Sequence, residues 1–215
     1  MTRPGVPLPR LFERAIEKAV SRDPSGKDDE QVYNAALHVL AERGTRAATV
    51  DDVATRSGIS RATLFRRFGG KDALFEAAVA HTLRGFLSMI TSTFVTVTDP
   101  SDRIAEAFVG CLRLRRRLFA DDGSGRRSGE LLAMLSAGSP SPLEIGQQFI
   151  AARISAGQAE GTLPPGDPDI RAEAVIRITL GYLLLPSTHF DLDDDAVARE
   201  VARSVIAPLV TGVGT

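Results

Sequence analysis

Apolar positions recur along this chain at the spacing of helices, not strands. Leu11, Phe12, Ala15, Ile16, Ala19 and Val20 fall three and four apart and predict a short amphipathic helix behind a proline-rich arm, Met1 to Pro9. Asp23-Pro24-Ser25-Gly26 ends that helix. Asp28-Asp29-Glu30 opens a second one at the dipole end where acids are favoured; Tyr33, Ala36, Leu37 and Leu40 form its stripe, and Gly44 stops it. Three segments then follow in quick succession. Thr49-Val50-Asp51-Asp52 has the form of a capping box, with Val50, Val53, Ala54 and Ser57 as the inner face of the helix it starts. Gly58-Ile59-Ser60 makes a compact turn in which Gly58 can turn left-handed, Ile59 plugs the corner and Ser60 caps the next helix, Arg61 to Phe68. Gly69-Gly70 breaks that helix, and a long one runs from Lys71 to about Phe94. Further helices are expected near residues 102–120, 128–137, 143–160, 169–185 and 194–210, separated by stretches that carry glycine or proline. No run alternates with strand periodicity, so the fold class is all-α, with roughly ten helices.

Composition narrows the classes without naming a function. The chain has 215 residues, 43% hydrophobic and 25% charged, which excludes collagen-like and wholly disordered classes. Its single cysteine, Cys111, cannot close an internal disulfide or build a cysteine-based zinc site. The longest stretch without a charged residue, 85–98, has 14 residues, short of the roughly 18–20 that a spanning helix needs. The prolines around Arg3, Arg10 and Arg14 leave no secretory apolar region, so no membrane partner and a cytoplasmic location are expected. His38, His81 and His189 lack metal-ligand spacing, and no metal or cofactor is called for.

Two helices joined by a short glycine-containing turn form a helix-turn-helix, whose second helix enters the major groove of double-stranded DNA. If Leu64 and Phe68 face inward, Ala62, Thr63 and Arg66 point away and Arg61, Phe65 and Arg67 flank the contact. That outer face suits a duplex: arginine can bond guanine O6 and N7 with both arms of its fork, Thr63 offers a hydroxyl and a methyl, and Ala62 permits close approach. Charge agrees locally. The chain's net charge is 26 − 27 = −1, yet between Arg43 and Lys71 seven cations (Arg43, Arg46, Arg56, Arg61, Arg66, Arg67, Lys71) face only Asp51 and Asp52, giving 7 − 2 = +5. Such a cluster supplies the counterion release that drives DNA affinity. Lys71 and Thr49, at helix N-termini, are placed to hold phosphates.

The pattern Thr49-Val50-Asp51-Asp52-Val53-Ala54-x-x-Ser57-Gly58-Ile59-Ser60-x-x-Thr63-Leu64-Phe65-x-x-Phe68-x-x-Lys71-Asp72-x-Leu74 closely resembles the DNA-binding domain of the TetR family of transcriptional repressors. The resemblance spans residues 28–74. It implies an N-terminal three-helix helix-turn-helix domain followed by a helical ligand-binding and dimerisation domain, and a homodimer on palindromic DNA that an unknown small-molecule effector releases. It also marks two departures: Phe65 stands where the family usually has tyrosine, losing a phosphate hydrogen bond, and Gly69-Gly70 replaces a more usual polar pair. The expected organisation is an arm and extra helix over residues 1–27, the DNA-binding domain over 28–74, and the effector and dimerisation domain over 75–215.

Other residues are weighed on pattern. Phe86, Met89, Ile90, Phe94, Cys111, Met134 and Phe149 could line an effector pocket between helices. Tyr182 and the fourfold series Val197, Val201, Val205 and Leu209 could form a dimer interface. The acids Asp191, Asp193, Asp194 and Asp195 read as caps for the last helix. The alternative class, a small helical hydrolase or transferase using Cys111 or Ser124 as nucleophile, lacks the glycine spacing and strand context of a nucleophile elbow around Ser124 and any base beside Cys111.

Overall fold

Proline opens helices in this chain, because a first-turn residue needs no N–H and the fixed φ of proline suits the helical start. The computed structural model describes residues 8–20, 29–119, 126–185 and 187–212; Arg3 and Ser124 lie outside them. Helix α1 (Leu8–Val20) takes Pro9 into its first turn and so starts before Leu11, inside the segment expected to be an arm. Helices α6 (Pro100–Leu118), α8 (Pro142–Ala159) and α9 (Pro168–Leu184) likewise begin on a proline that spacing alone suggests as a break. The remaining elements are α2 (Glu30–Ala47), α3 (Val50–Ser57), α4 (Arg61–Phe68), α5 (Lys71–Thr96), α7 (Arg126–Leu135), α10 (Asp195–Val201), a π-helical turn (Ala202–Ile206) and α11 (Pro208–Thr211). Among the described residues there is no strand.

The chain divides into two compact units: one takes in the chain up to Leu87 together with Leu114–Glu130, the other Ser88–Arg113 and Leu131 onward. In the first unit α2 supplies a continuous apolar face, with Val32, Tyr33, Ala36, Leu37, Val39 and Leu40 buried, and breaks at Gly44, whose φ of 69° is open to glycine without strain. Helix α3 packs on both α2 and α4. Helix α5 is long and apolar enough to cross a membrane by length and composition. It buries Leu74, Phe75, Ala78 and Val79 in the first unit and carries the buried, ion-paired Glu76, the signature of a core helix.

The second unit shows why the last helix departs from its expected register. Pro208 has no N–H to donate to the carbonyl four residues back, and its ring crowds that position. The chain widens by one residue just before it, with Ala207 N–H bonding Ala202 O at 2.8 Å, five residues back. The inner face therefore runs Ala198, Val201, Ala202, Ile206 and Val210, all buried. Val201 belongs to the chain's own core, while Val205 is turned outward and 41% exposed; the fourfold series expected at an interface does not stay on one face. Helix α6 runs antiparallel to α10 and the π-helical turn after it through a ladder of ion pairs: Asp102 with Arg203 at 2.8 Å, Glu106 with Arg199 at 2.5 Å, and Arg113 with Asp195. Asp194 caps α10, as expected of that acidic run.

Candidate nucleic-acid interface

The helix-turn-helix is fixed by local chemistry before any packing. Thr49 Oγ1 accepts from Asp52 N–H at 3.1 Å, and the Asp52 carboxylate accepts from Thr49 N–H at 3.0 Å and from its hydroxyl at 2.7 Å. These bonds, led by the hydroxyl, hold the Asp52 carboxyl below the usual carboxylate range, with Arg43 at 2.8 Å adding to the effect. Gly58 turns left-handed at φ 69°, and Ser60 Oγ accepts from Thr63 N–H at 3.2 Å to start α4. Gln31 Nε2 donates to Ser57 O at 3.1 Å, satisfying a carbonyl at the C-terminus of α3 and tying the motif to α2. Below α4, Leu64 is buried and Tyr33 meets the half-buried Phe68 edge-on at 5.9 Å; on its other side Tyr33 lies 4.9 Å from the His81 ring. The recognition helix is thus pinned at its centre and its end.

The opposite face is open. Arg61, Ala62, Phe65 and Arg66 are exposed, with Thr63 half-exposed between them. Arg61 is held by Asp51 at 2.7 Å and lies 5.3 Å from the Phe65 ring centre. Thr63 Oγ1 and Ser60 Oγ share a hydrogen bond of 2.9 Å. Lys71 Nζ donates to Arg46 O at 3.2 Å, bringing both residues to one edge of the motif. No carboxylate among the described residues pairs with Arg66 or with the Arg46 side chain.

Four of the seven cations are not free in this way. Arg43 pairs with Asp52, Arg56 with Glu42, Arg61 with Asp51 and Arg67 with Asp29. Glu42 and Asp29 lie outside the segment whose charge was counted, so +5 overstates the positive charge open to a partner. Arg67 in particular turns toward the start of α2.

The seven expected pocket residues fall in different surroundings. Phe94 and Phe149 meet edge-on at 5.4 Å, Thr93 Oγ1 contacts Met89 Sδ at 3.6 Å, Met134 is buried core, and Ile90 is half-buried. Phe86 falls in the first unit and the other six in the second. Apolar surroundings push the Cys111 thiol up to about 12, so it carries almost no thiolate at neutral pH and cannot serve as a ready nucleophile. A cavity of about 440 Å³ opens instead at the C-terminal end of α9, between Ile178, Tyr182, Leu185, Thr188, His189 and Phe190. Tyr182, expected at an interface, lines this cavity and packs edge-on against Phe108 at 5.6 Å; Val197 and Leu209 are half-buried. The clue missed in sequence is the aromatic and hydroxyl-bearing run around Phe190, in a stretch that reads only as a break. No group of three or more potential metal ligands occurs among the described residues.

Comparison with known proteins agrees with this geometry. The family of bacterial regulatory proteins named tetR matches residues 32–78, which hold most of α2, the helix-turn-helix and the start of α5. Over 188 residues, 85% of either chain, the sequence is 25% identical to an uncharacterised HTH-type transcriptional regulator of Mycobacterium tuberculosis. It is 35% identical over 77 residues, 36% of this chain and 34% of the other, to the HTH-type transcriptional regulator BetI of Paraburkholderia phytofirmans. The crystal structure of a TetR-like transcriptional regulator from Rhodococcus sp. RHA1 shares the fold with a TM-score of 0.57 at 18% identity, over 86% of this chain and 96% of that one. The capped helix-turn-helix with its open cationic face lies within the matched segment, so residues 32–78 carry a DNA-binding domain of the tetR type, in a chain similar along most of its length to an HTH-type transcriptional regulator.

Proposed function

We propose that the protein is a cytoplasmic repressor that binds a palindromic operator as a homodimer and is released by a small-molecule effector. The observation that carries this reading is the outer face of α4, where Arg61, Ala62, Thr63 and Arg66 stand clear of the fold while Leu64 and Phe68 anchor the helix from beneath. Two such faces about 34–36 Å apart would meet successive major grooves on one side of the duplex. Arg61 and Arg66 then read base edges, while Arg46, Thr49, Ser60 and Lys71 set the register on phosphate and Phe65 adds apolar contact. Effector capture is assigned to the second unit. Its cavity of about 440 Å³ lies within the size range of small-molecule sites, and it combines an apolar lining with the phenol of Tyr182 and the imidazole of His189. Val205, exposed by the π-helical turn, is the member of the expected interface series best placed to meet a second copy.

Selection of binding sites from random duplexes tests the reading. An inverted repeat with half-site centres one helical turn or a multiple of it apart is the expected result; capture without sequence preference would overturn it. A thermal-shift screen of metabolites against wild-type protein and a Tyr182→Ala variant then tests the effector site, which fails if hits stabilise both equally.

A further inference from the structure

We propose that the cavity at the C-terminal end of α9 takes an uncharged, ring-bearing molecule whose polar end carries a carbonyl or hydroxyl group. This deepens the effector reading and rests on it, since the cavity is the one assigned there to effector capture. Its wall draws Gly181, Tyr182 and Leu185 from the end of α9 and Thr188, His189 and Phe190 from the turn that follows. No lysine, arginine, aspartate or glutamate stands among the described residues of that wall. A carboxylate or ammonium brought in would give up water and meet no opposite charge, whereas a neutral molecule avoids that cost.

The polar groups present suit such a molecule. The hydroxyls of Tyr182 and Thr188 and the ring of His189 make no hydrogen bond with another described residue, so each keeps a donor or an acceptor for a ligand carbonyl or hydroxyl. Ser187 is used differently. Its Oγ accepts from the backbone N–H of His189 at 3.3 Å and of Phe190 at 3.0 Å, closing the turn that carries both rings to the cavity. An edge-on contact at 5.6 Å with Phe108 holds the Tyr182 ring. Tyr182, His189 and Phe190 thus offer three flat side chains to a ligand ring. Leu185, 71% exposed, and Phe190, 48% exposed, add apolar surface that a bound ring would cover. Gly181 leaves the floor open: a Cβ there would meet no atom within 4 Å, in a helix that accepts an ordinary side chain at this position.

Calorimetric titration of the full-length protein and a Gly181→Leu variant with three probes of one shape tests the site. Biphenyl-4-carboxamide is neutral; at neutral pH biphenyl-4-carboxylate is an anion and biphenyl-4-carboxamidine a cation. The amide is expected to bind saturably, at least tenfold tighter than either ion, and to lose at least tenfold in Gly181→Leu, whose side chain fills the floor; circular dichroism checks the fold of the variant. Absence of saturable amide binding, or equal binding to Gly181→Leu, overturns the proposal. An ion that binds as tightly as the amide, and is lost in Gly181→Leu, overturns the ligand class and leaves the cavity as a site. Anisotropy on the selected operator keeps the effector reading separate: amide binding that depends on Gly181 but leaves operator affinity unchanged supports the ligand class and refutes the effector role.

Discussion

Arg66→Ala is the sharpest test of the proposed recognition surface, because Arg66 is exposed on α4 and has no carboxylate partner among the described residues to leave before it meets DNA. A guanidinium bonded to a guanine edge by both arms contributes about 1–3 kcal/mol of discrimination, so two copies in the proposed dimer contribute about 2–6 kcal/mol. At about 1.4 kcal/mol per factor of ten, operator affinity should fall roughly 30-fold to 20,000-fold. Fluorescence anisotropy on the selected operator and on a scrambled duplex, each at several salt concentrations, separates the possible contacts. If Arg66 reads a base, the loss appears on the operator alone and the slope of log affinity against log salt stays constant. If it binds phosphate, both duplexes weaken together and the slope drops by about 0.9 for each copy, roughly 2 for the dimer. Unchanged affinity for both, in a variant that keeps its helix content and dimer, would refute the assignment of α4 as the reading helix.

Further expectations follow from the same geometry. Thr49→Ala removes the hydroxyl that both caps α3 and binds Asp52, and should lower stability by about 1 kcal/mol in thermal or denaturant unfolding; an unchanged midpoint would deny the capping box its role. Burial, with Arg84 adding to it, lowers the His81 pKa from its ordinary 6.5, so the unfolded chain takes up the proton more readily than the fold. Stability should therefore be full above pH 6.5 and fall as pH drops through that value, and His81→Gln should remove that part of the pH dependence; a variant with the same slope would contradict the sign. The Cys111 thiol, pushed up to about 12, should react with thiol reagents at neutral pH far more slowly in the native protein than in denaturant, and equal rates by absorbance would disprove its protected state.

What could be read from sequence was local. The Thr49 box, the left-handed Gly58, the Ser60 cap and the inward Leu64 all depend on residues within four positions of one another, and the structure places each as the pattern implies. The helix starts at Pro142 and Pro168 were equally local, and the Ser141-x-x-Glu144 capping box also stands in the sequence. What was illegible involves distance along the chain. Arg67 finds Asp29, 38 positions earlier, and no helical wheel of α4 contains that partner. The face of the last helix depends on how the backbone adapts to Pro208, and one extra residue in that turn exchanges Val205 for Ile206 in the core. Apolar side chains at helical spacing line a cavity or fill a core with identical patterns. None of the seven expected pocket residues lines the cavity at the end of α9, which draws instead on a segment without periodicity.

The magnitudes of the ion pairs decide which cations belong to the DNA surface and which to the scaffold. The pair between Arg61 and Asp51 has side chains 60% and 59% exposed, and a pair in that setting contributes about 0.2–1 kcal/mol. A two-armed contact to guanine contributes more, about 1–3 kcal/mol, so Arg61 can exchange Asp51 for a base at a net gain. In the absence of DNA, Asp51 holds the side chain near the helix start and away from other anions. Arg67 sits in the opposite regime. Its partner Asp29 is only 14% exposed and stands at the wall of a recess, so departure of the guanidinium would strand a carboxylate largely removed from water. Exchange there costs more than a phosphate contact on the outside returns. The reading surface proposed above therefore narrows to Arg61, Ala62, Thr63, Phe65 and Arg66 flanked by Arg46 and Lys71, with Arg67 acting as the strut that joins α4 to the start of α2.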